Sequence, residues 1–109
     1  EFYRRMVREE ALQAVELYVI RDNENGFAAF AGVEADMLEM LFVTPSAHGK
    51  GLGRKLIEYL VAHRGIRRVD VNEQNTQAVG FYARMGFRVA SRDALDPSGR
   101  PYPILHLTL

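Results

Sequence analysis

Between the apolar run that ends at Val43 and the amphipathic stretch RKLIEYLVAH (54–63) lies HGKGLG, residues 48–53, with three glycines in five positions. Glycine enters left-handed backbone without steric cost, so a strand that runs through such a loop into a helix can turn tightly. The turn gathers several backbone N–H groups at the helix N-terminus, where unpaired donors and the helix dipole favour an anion. A phosphate or pyrophosphate is the ligand this predicts, with Lys50 and Arg54 adding charge at the rim. The plainer alternative is a loop that only needs positive φ angles.

Spacing separates the phosphate-binding possibilities. A P-loop places serine or threonine directly after its Gly-Lys so that a hydroxyl reaches magnesium, and Gly51 follows Lys50 here. A dinucleotide fingerprint wants GxGxxG with an acid about twenty residues on. Gly49, Gly51 and Gly53 give GxGxG, with Asp70 at a strand end downstream, and a run of three strands precedes the loop where a parallel βαβ unit would be expected.

Around the loop the chain reads as one unit, residues 1–109, without repeats or linkers. Phe2 to Gln13, with apolar Phe2, Met6 and Leu12, reads as the tail of a helix. VELYVIR (15–21), FAAFAGVEA (27–35) and MLEMLFV (37–43) form an antiparallel meander, the first turn signalled by Asn25-Gly26. TPSAHGKGLG is a loop, and Leu56, Ile57, Leu60 and Val61 form one helical stripe. RRVDVN (67–72) is a strand. NTQAVGFYARM (75–85) has helical spacing, with Asn75 as N-cap and Gly86 in the left-handed position that ends it. Phe87 to Ser91 is a strand, DPSG (96–99) a turn and ILHLTL a last strand behind Pro103. Helix, three strands, helix, strand, helix and two strands make a mixed α/β layer fold.

Composition excludes several chemistries. The chain has no cysteine, which removes disulfides, thiolate metal sites and a cysteine nucleophile. His48, His63 and His106 have no metal-ligand spacing, so no metal is expected. Ser46, Ser91 and Ser98 lie in no GxSxG context. Apolar runs are far shorter than a membrane helix needs, so a soluble, cytoplasmic protein without membrane contact is expected. The arginines are scattered, which argues against nucleic acid. Net charge is zero, yet residues 1–53 carry 5 basic and 9 acidic side chains and residues 54–109 carry 9 and 5. The basic half suits an anionic ligand, or simply a solvated surface.

HGKGLG resembles the pyrophosphate loop of the GNAT superfamily of N-acetyltransferases, whose pattern is Gln or Arg, two residues, Gly, one residue, then Gly or Ala. Gly51 and Gly53 match, and His48 stands where Gln or Arg is usual. NTQAVGFYARMGF resembles the superfamily's NxxAxxFYxxxGF segment through Asn75, Ala78, Phe81, Tyr82, Gly86 and Phe87. The resemblance covers Val15 to Leu109. It implies a GNAT-like, largely antiparallel sheet with helices on both faces and splayed central strands. The strand and helix pair that usually open the family fold lie outside it.

The resemblance to small bacterial members implies transfer of acetyl from acetyl coenzyme A to a primary amine, in a small molecule or a peptide, by direct attack in a ternary complex. His48, Gly49, Lys50, Gly51, Leu52, Gly53 and Arg54 would bind the pyrophosphate. Leu41, Phe42 and Val43 would pair with the pantetheine amides as one strand adds to another, and the Val43 N–H would face the oxyanion. Asn75 would touch the coenzyme near the pantetheine. Tyr82 would protonate the departing thiolate; a thiol near pKa 8.5 and a phenol near 10 make it a weak acid but a good hydrogen-bond donor. Glu39, placed by strand alternation on the face of Leu41, is the first candidate base, followed by Glu73 and His106. His63 suits a helix C-terminus. Pairing of edge strands at the last hairpin makes a homodimer an expectation. The alternative function is a GNAT-like module that binds acyl coenzyme A without catalysis; a nicotinamide-dinucleotide protein built on Gly49, Gly51, Gly53 and Asp70 is the third reading.

Overall fold

Among the described residues, four antiparallel strands and one α-helix lie in the first of two compact units, residues 1–66, and three strands with a second α-helix lie in the other, residues 67–109. The computed structural model describes the backbone of residues 2–7 and, with their side chains, residues 15–22 and 26–109.

In the first unit β1 (Phe2–Val7), β2 (Val15–Arg21), β3 (Phe27–Glu34) and β4 (Met37–Val43) follow one another as an antiparallel meander. The helix expected at the N-terminus is therefore corrected over residues 2–7, which pair with β2 from Phe2↔Ile20 to Val7↔Val15. A short isolated helix is marginal in water, and a ladder with a ready partner satisfies the same backbone groups. Residues 8–14 and Asn25, the first half of the expected turn signal, lie outside the described residues. The meander itself is as expected.

Alternate residues of β3, Ala29, Ala31 and Val33, are wholly buried. Two alanines on that face leave room for α1 (Leu52–Arg64), which packs on β3 and β4. Its Leu56, Ile57 and Leu60 are also wholly buried, each contributing about 1.5–3 kcal/mol. Gly65, at φ 73°, ends the helix. Arg64 then closes the unit: it holds Glu16 of β2 through two contacts of 2.7 and 3.0 Å and donates to the Ala35 carbonyl at 2.8 Å. Ala35 has a positive φ of 52° in the β3–β4 turn, so this contact steadies a strained residue.

In the second unit β7 (Ile104–Thr108) lies between β5 (Arg68–Asn72) and β6 (Arg88–Asp93), antiparallel to both. Val69, Val71, Leu105 and Leu107 are buried, and α2 (Thr76–Arg84) packs on β5. α2 ends in a Schellman motif: Gly86, at φ 99°, donates to Ala83 and Phe87 donates to Tyr82, both at 3.0 Å. The turn at Asp96 is held by its Oδ1, which accepts from Ser98 and Arg100 N–H. All six residues of β6 are exposed. The expected mixed α/β, largely antiparallel architecture is the one observed.

Candidate functional site

The glycine loop is built by β4 and α1. After Val43 the Thr44 N–H donates to the Ala28 carbonyl at 3.0 Å, and Pro45–Ala47 then form a short 3-10 turn within the expected loop, anchored by the buried Ala47. Gly49 and Gly51 have φ of 80° and 73°, and no atom lies within 4 Å of where a Cβ would stand on either. Gly53 is already helical, so two of the three glycines are demanded by backbone conformation and both face open space. The first intrahelical bond runs from Lys55 N–H to the Gly51 carbonyl at 3.0 Å. That leaves the N–H groups of Leu52, Gly53 and Arg54 without helical acceptors. The first turn has neither a capping side chain nor an acidic residue. Lys50 is exposed, while Arg54 is engaged with Glu58 at 3.1 Å across an exposed pair of little strength.

At the end of β4, Ala29↔Val43 and Ala31↔Leu41 flank the Phe30↔Phe42 pair. Because Thr44 bonds Ala28, alternation along an antiparallel ladder turns the N–H and C=O of Val43 and Leu41 away from β3. His48 reaches back to this edge, its Nε2 lying 2.9 Å from the Val43 carbonyl. The expected face of Glu39 is corrected. Met40 pairs with Gly32 and Leu38 with Val33, so Glu39 is the extra residue of a β-bulge. The bulge breaks the alternation that would align Glu39 with Leu41, and two successive residues, Glu39 and Met40, are exposed while Leu38 is buried.

In the second unit Asn75 caps α2, its Oδ1 accepting the Ala78 N–H at 3.1 Å. Tyr82 is 7% exposed and set edge-on against Phe81 and Phe87, with ring centroids 5.2 and 5.7 Å away. Its hydroxyl has no hydrogen-bond partner among the described residues, and burial pushes the phenol above its ordinary range. Glu73 takes two hydrogen bonds from Arg92, at 2.8 and 3.0 Å, which hold its carboxyl below the usual value. His106 lies between Asp93, 2.8 Å from Nε2, and Asp70, 2.7 Å from Nδ1, and these hydrogen bonds raise it. Glu73 and His106 are thus bound into the sheet's own ion pairs. His63 is in the last turn of α1, as expected, with its ring 4.7 Å from that of Tyr59.

Neither the contact of His48 with Val43 nor the bulge at Glu39 is legible in the sequence. A bulge leaves no periodic mark beyond one extra residue, and a five-residue side-chain return to a carbonyl leaves none. The dinucleotide reading loses its footing, since β4 enters the loop antiparallel to β3 and Asp70 is paired with His106. Among the described residues no group of three or more His, Cys, Asp or Glu could hold a metal ion. No helix among them is long and apolar enough to cross a membrane.

A family model described as the acetyltransferase (GNAT) domain matches residues 13–89. The peptidyl-lysine N-acetyltransferase YjaB of Salmonella typhimurium is 41% identical over 87 residues, 80% of this chain and 58% of that protein. The solution structure of apo YjaB from Escherichia coli matches with a TM-score of 0.77 and 37% identity, over 84% of this chain and 63% of that one. The crystal structure of nourseothricin acetyltransferase shares the fold, with a TM-score of 0.71 at 24% identity over 87% of this chain and 64% of that one. The chain thus spans less than two thirds of the length of these relatives. A family match over residues 13–89, a span that includes the glycine loop and the helix that holds Tyr82, establishes that the chain belongs to the GNAT family of acetyltransferases.

Proposed function

We propose that the protein is an N-acetyltransferase that moves acetyl from acetyl coenzyme A to a primary amine by direct attack in a ternary complex, with the ε-amine of a peptide lysine as the acceptor class. The observation that carries the coenzyme assignment is Gly51: left-handed, bordered by open space, and opening a helix whose first N–H groups have no helical acceptors. The name of the Salmonella relative supports the acceptor class.

The residues divide the work by their chemistry. Backbone N–H groups from Gly49 to Arg54 hold the pyrophosphate, with Lys50 near the rim. The outward backbone groups of β4 at Leu41 and Val43 receive the pantetheine amides, while the expected Phe42 between them turns its own N–H and C=O to β3; the Val43 N–H faces the oxyanion that forms as nitrogen attacks the thioester carbonyl. Asn75 approaches the pantetheine while capping its own helix. Tyr82 hydrogen-bonds the sulfur and donates its proton as the C–S bond breaks. With its phenol raised further from the thiol near 8.5, it rests protonated throughout the neutral range and releases the proton only to the sulfur as the thiolate departs. Glu39 accepts the proton released by the amine. Pairing through the exposed β6 edge would form a homodimer.

Calorimetric titration of the 109-residue chain with acetyl coenzyme A, beside NAD, tests the first half; mass spectrometry of a lysine peptide incubated with both tests the second. Saturable coenzyme binding with acetylation of the lysine is expected. Binding without transfer would favour the non-catalytic acyl coenzyme A module, and absence of coenzyme binding would overturn the assignment.

A further inference from the structure

The 43–44 peptide is gripped at both ends. Its N–H, from Thr44, donates to the Ala28 carbonyl at 3.0 Å, and the Thr44 hydroxyl approaches the same carbonyl at 3.3 Å. Its C=O, from Val43, lies 2.9 Å from His48 Nε2. A carbonyl accepts, so this nitrogen carries the proton and Nδ1 is left as an acceptor for solvent or another donor. His48 also sits one residue before Gly49 and three before Gly51, with its own backbone N–H on the Pro45 carbonyl at 3.2 Å. The imidazole therefore fastens the start of the glycine loop to the last peptide of β4.

We propose that His48 is a positioning residue: it acts through the Val43 carbonyl, holding the loop's backbone donors and the outward edge of β4 in one fixed register. This rests on the coenzyme-binding reading above and goes beyond it by assigning to the His48 side chain a role that requires no contact with phosphate. The two surfaces it joins would take two parts of one ligand, the pyrophosphate and the amide-bearing arm. A ligand that must touch both gains affinity from their pre-arrangement. Glutamine, the usual residue here in the pattern this loop resembles, carries an N–H at similar reach, so His48→Gln can restore the link, while His48→Ala cannot.

The experiment measures acetyl coenzyme A affinity by calorimetry for the wild type, His48→Ala and His48→Gln, together with the ring nitrogen shifts of His48 by NMR. His48→Ala is expected to weaken binding about fivefold, the worth of one ordinary hydrogen bond, with an unchanged thermal midpoint because the side chain is exposed. His48→Gln should recover most of that loss. The ring should show a protonated Nε2 before and after coenzyme is added. Equal weakening in the two variants, or none in either, overturns the proposal. So does a large change in the ring shifts on binding, which would mean that the imidazole touches the ligand itself. If the wild type binds no coenzyme, the coenzyme reading fails and the proposal goes with it, a result distinct from any difference among variants.

Discussion

Gly51 and Gly65 bracket α1 with the same φ of 73° and with no atom within 4 Å of a prospective Cβ. This gives a matched pair for asking whether the loop binds an anion or only needs positive φ. A non-glycine residue held in the left-handed region costs about 1–2 kcal/mol, and loss of glycine's freedom in the unfolded chain returns about 0.4–1 kcal/mol. Asparagine tolerates that region better than alanine, so Gly51→Asn and Gly65→Asn should each destabilise by about 0.5 kcal/mol, measured by urea denaturation. Binding should separate them sharply. At position 51 the new side chain enters the open space beside the N–H groups of Leu52, Gly53 and Arg54, and its own carbonyl can compete for them. Loss of two charge-assisted contacts at about 1.5 kcal/mol each is about 3 kcal/mol, on the order of a hundredfold in acetyl coenzyme A Kd by calorimetry. Gly65→Asn, at the other end of the dipole, should leave Kd unchanged. Equal effects on Kd from the two variants, or wild-type binding by Gly51→Asn, would refute the anion nest.

Tyr82→Phe should keep the coenzyme Kd and the thermal midpoint, because the ring packing survives, while lowering the turnover of a lysine peptide at least tenfold; undiminished turnover would remove Tyr82 from the proton-donor role. Arg64→Ala strips Glu16 and the Ala35 carbonyl of a charged donor in a partly buried setting, for a loss of about 2 kcal/mol in unfolding free energy by urea denaturation; a loss below about 0.5 kcal/mol would rank the contact with ordinary surface pairs. His106 is raised by Asp93 and Asp70. Its contribution to stability is therefore complete below the unfolded value near 6.5 and fades as pH rises through the higher folded value. His106→Gln should lose that decline when unfolding midpoints are compared across pH, and parallel pH profiles would count against the triad.

Legibility in the sequence followed how local the cause of each feature was. The stripe Leu56, Ile57, Leu60 needed only helical periodicity, and all three are wholly buried. The ends of α2 needed only Asn75 and Gly86, whose roles depend on neighbours three or four residues away. Phe2 to Val7 has the spacing of a helix yet forms a strand because its partner is β2, a tertiary choice that its own spacing does not record. The same limit applies inside the site. Gly49 and Gly51 are legible as positive-φ positions, whereas the return of the His48 imidazole to the Val43 carbonyl is a tertiary contact that the spacing of the loop does not record. Asp70 and His106 stand as separate candidates in the sequence because the register that pairs β5 with β7 is a property of the folded sheet.

The choice of base narrows by the same physics. An acceptor amine near pKa 10.4 is protonated at neutral pH, so transfer needs a group that gains a proton. Glu73 has been made a weaker base by Arg92, and both ring nitrogens of His106 are taken up by Asp70 and Asp93, which leaves neither turned to an incoming amine. Glu39 differs in kind, because it is the residue that the bulge adds to β4. A bulge re-aims side chains; here it keeps Leu38 in the core while Glu39 and Met40 both turn outward. Regular alternation would have placed Glu39 and Met40 on opposite faces. Glu39→Gln should therefore flatten the acidic limb of the pH–rate profile for peptide acetylation while the coenzyme Kd stays unchanged. An unaltered limb would give the amine's proton to water and leave the bulge as a device of packing alone.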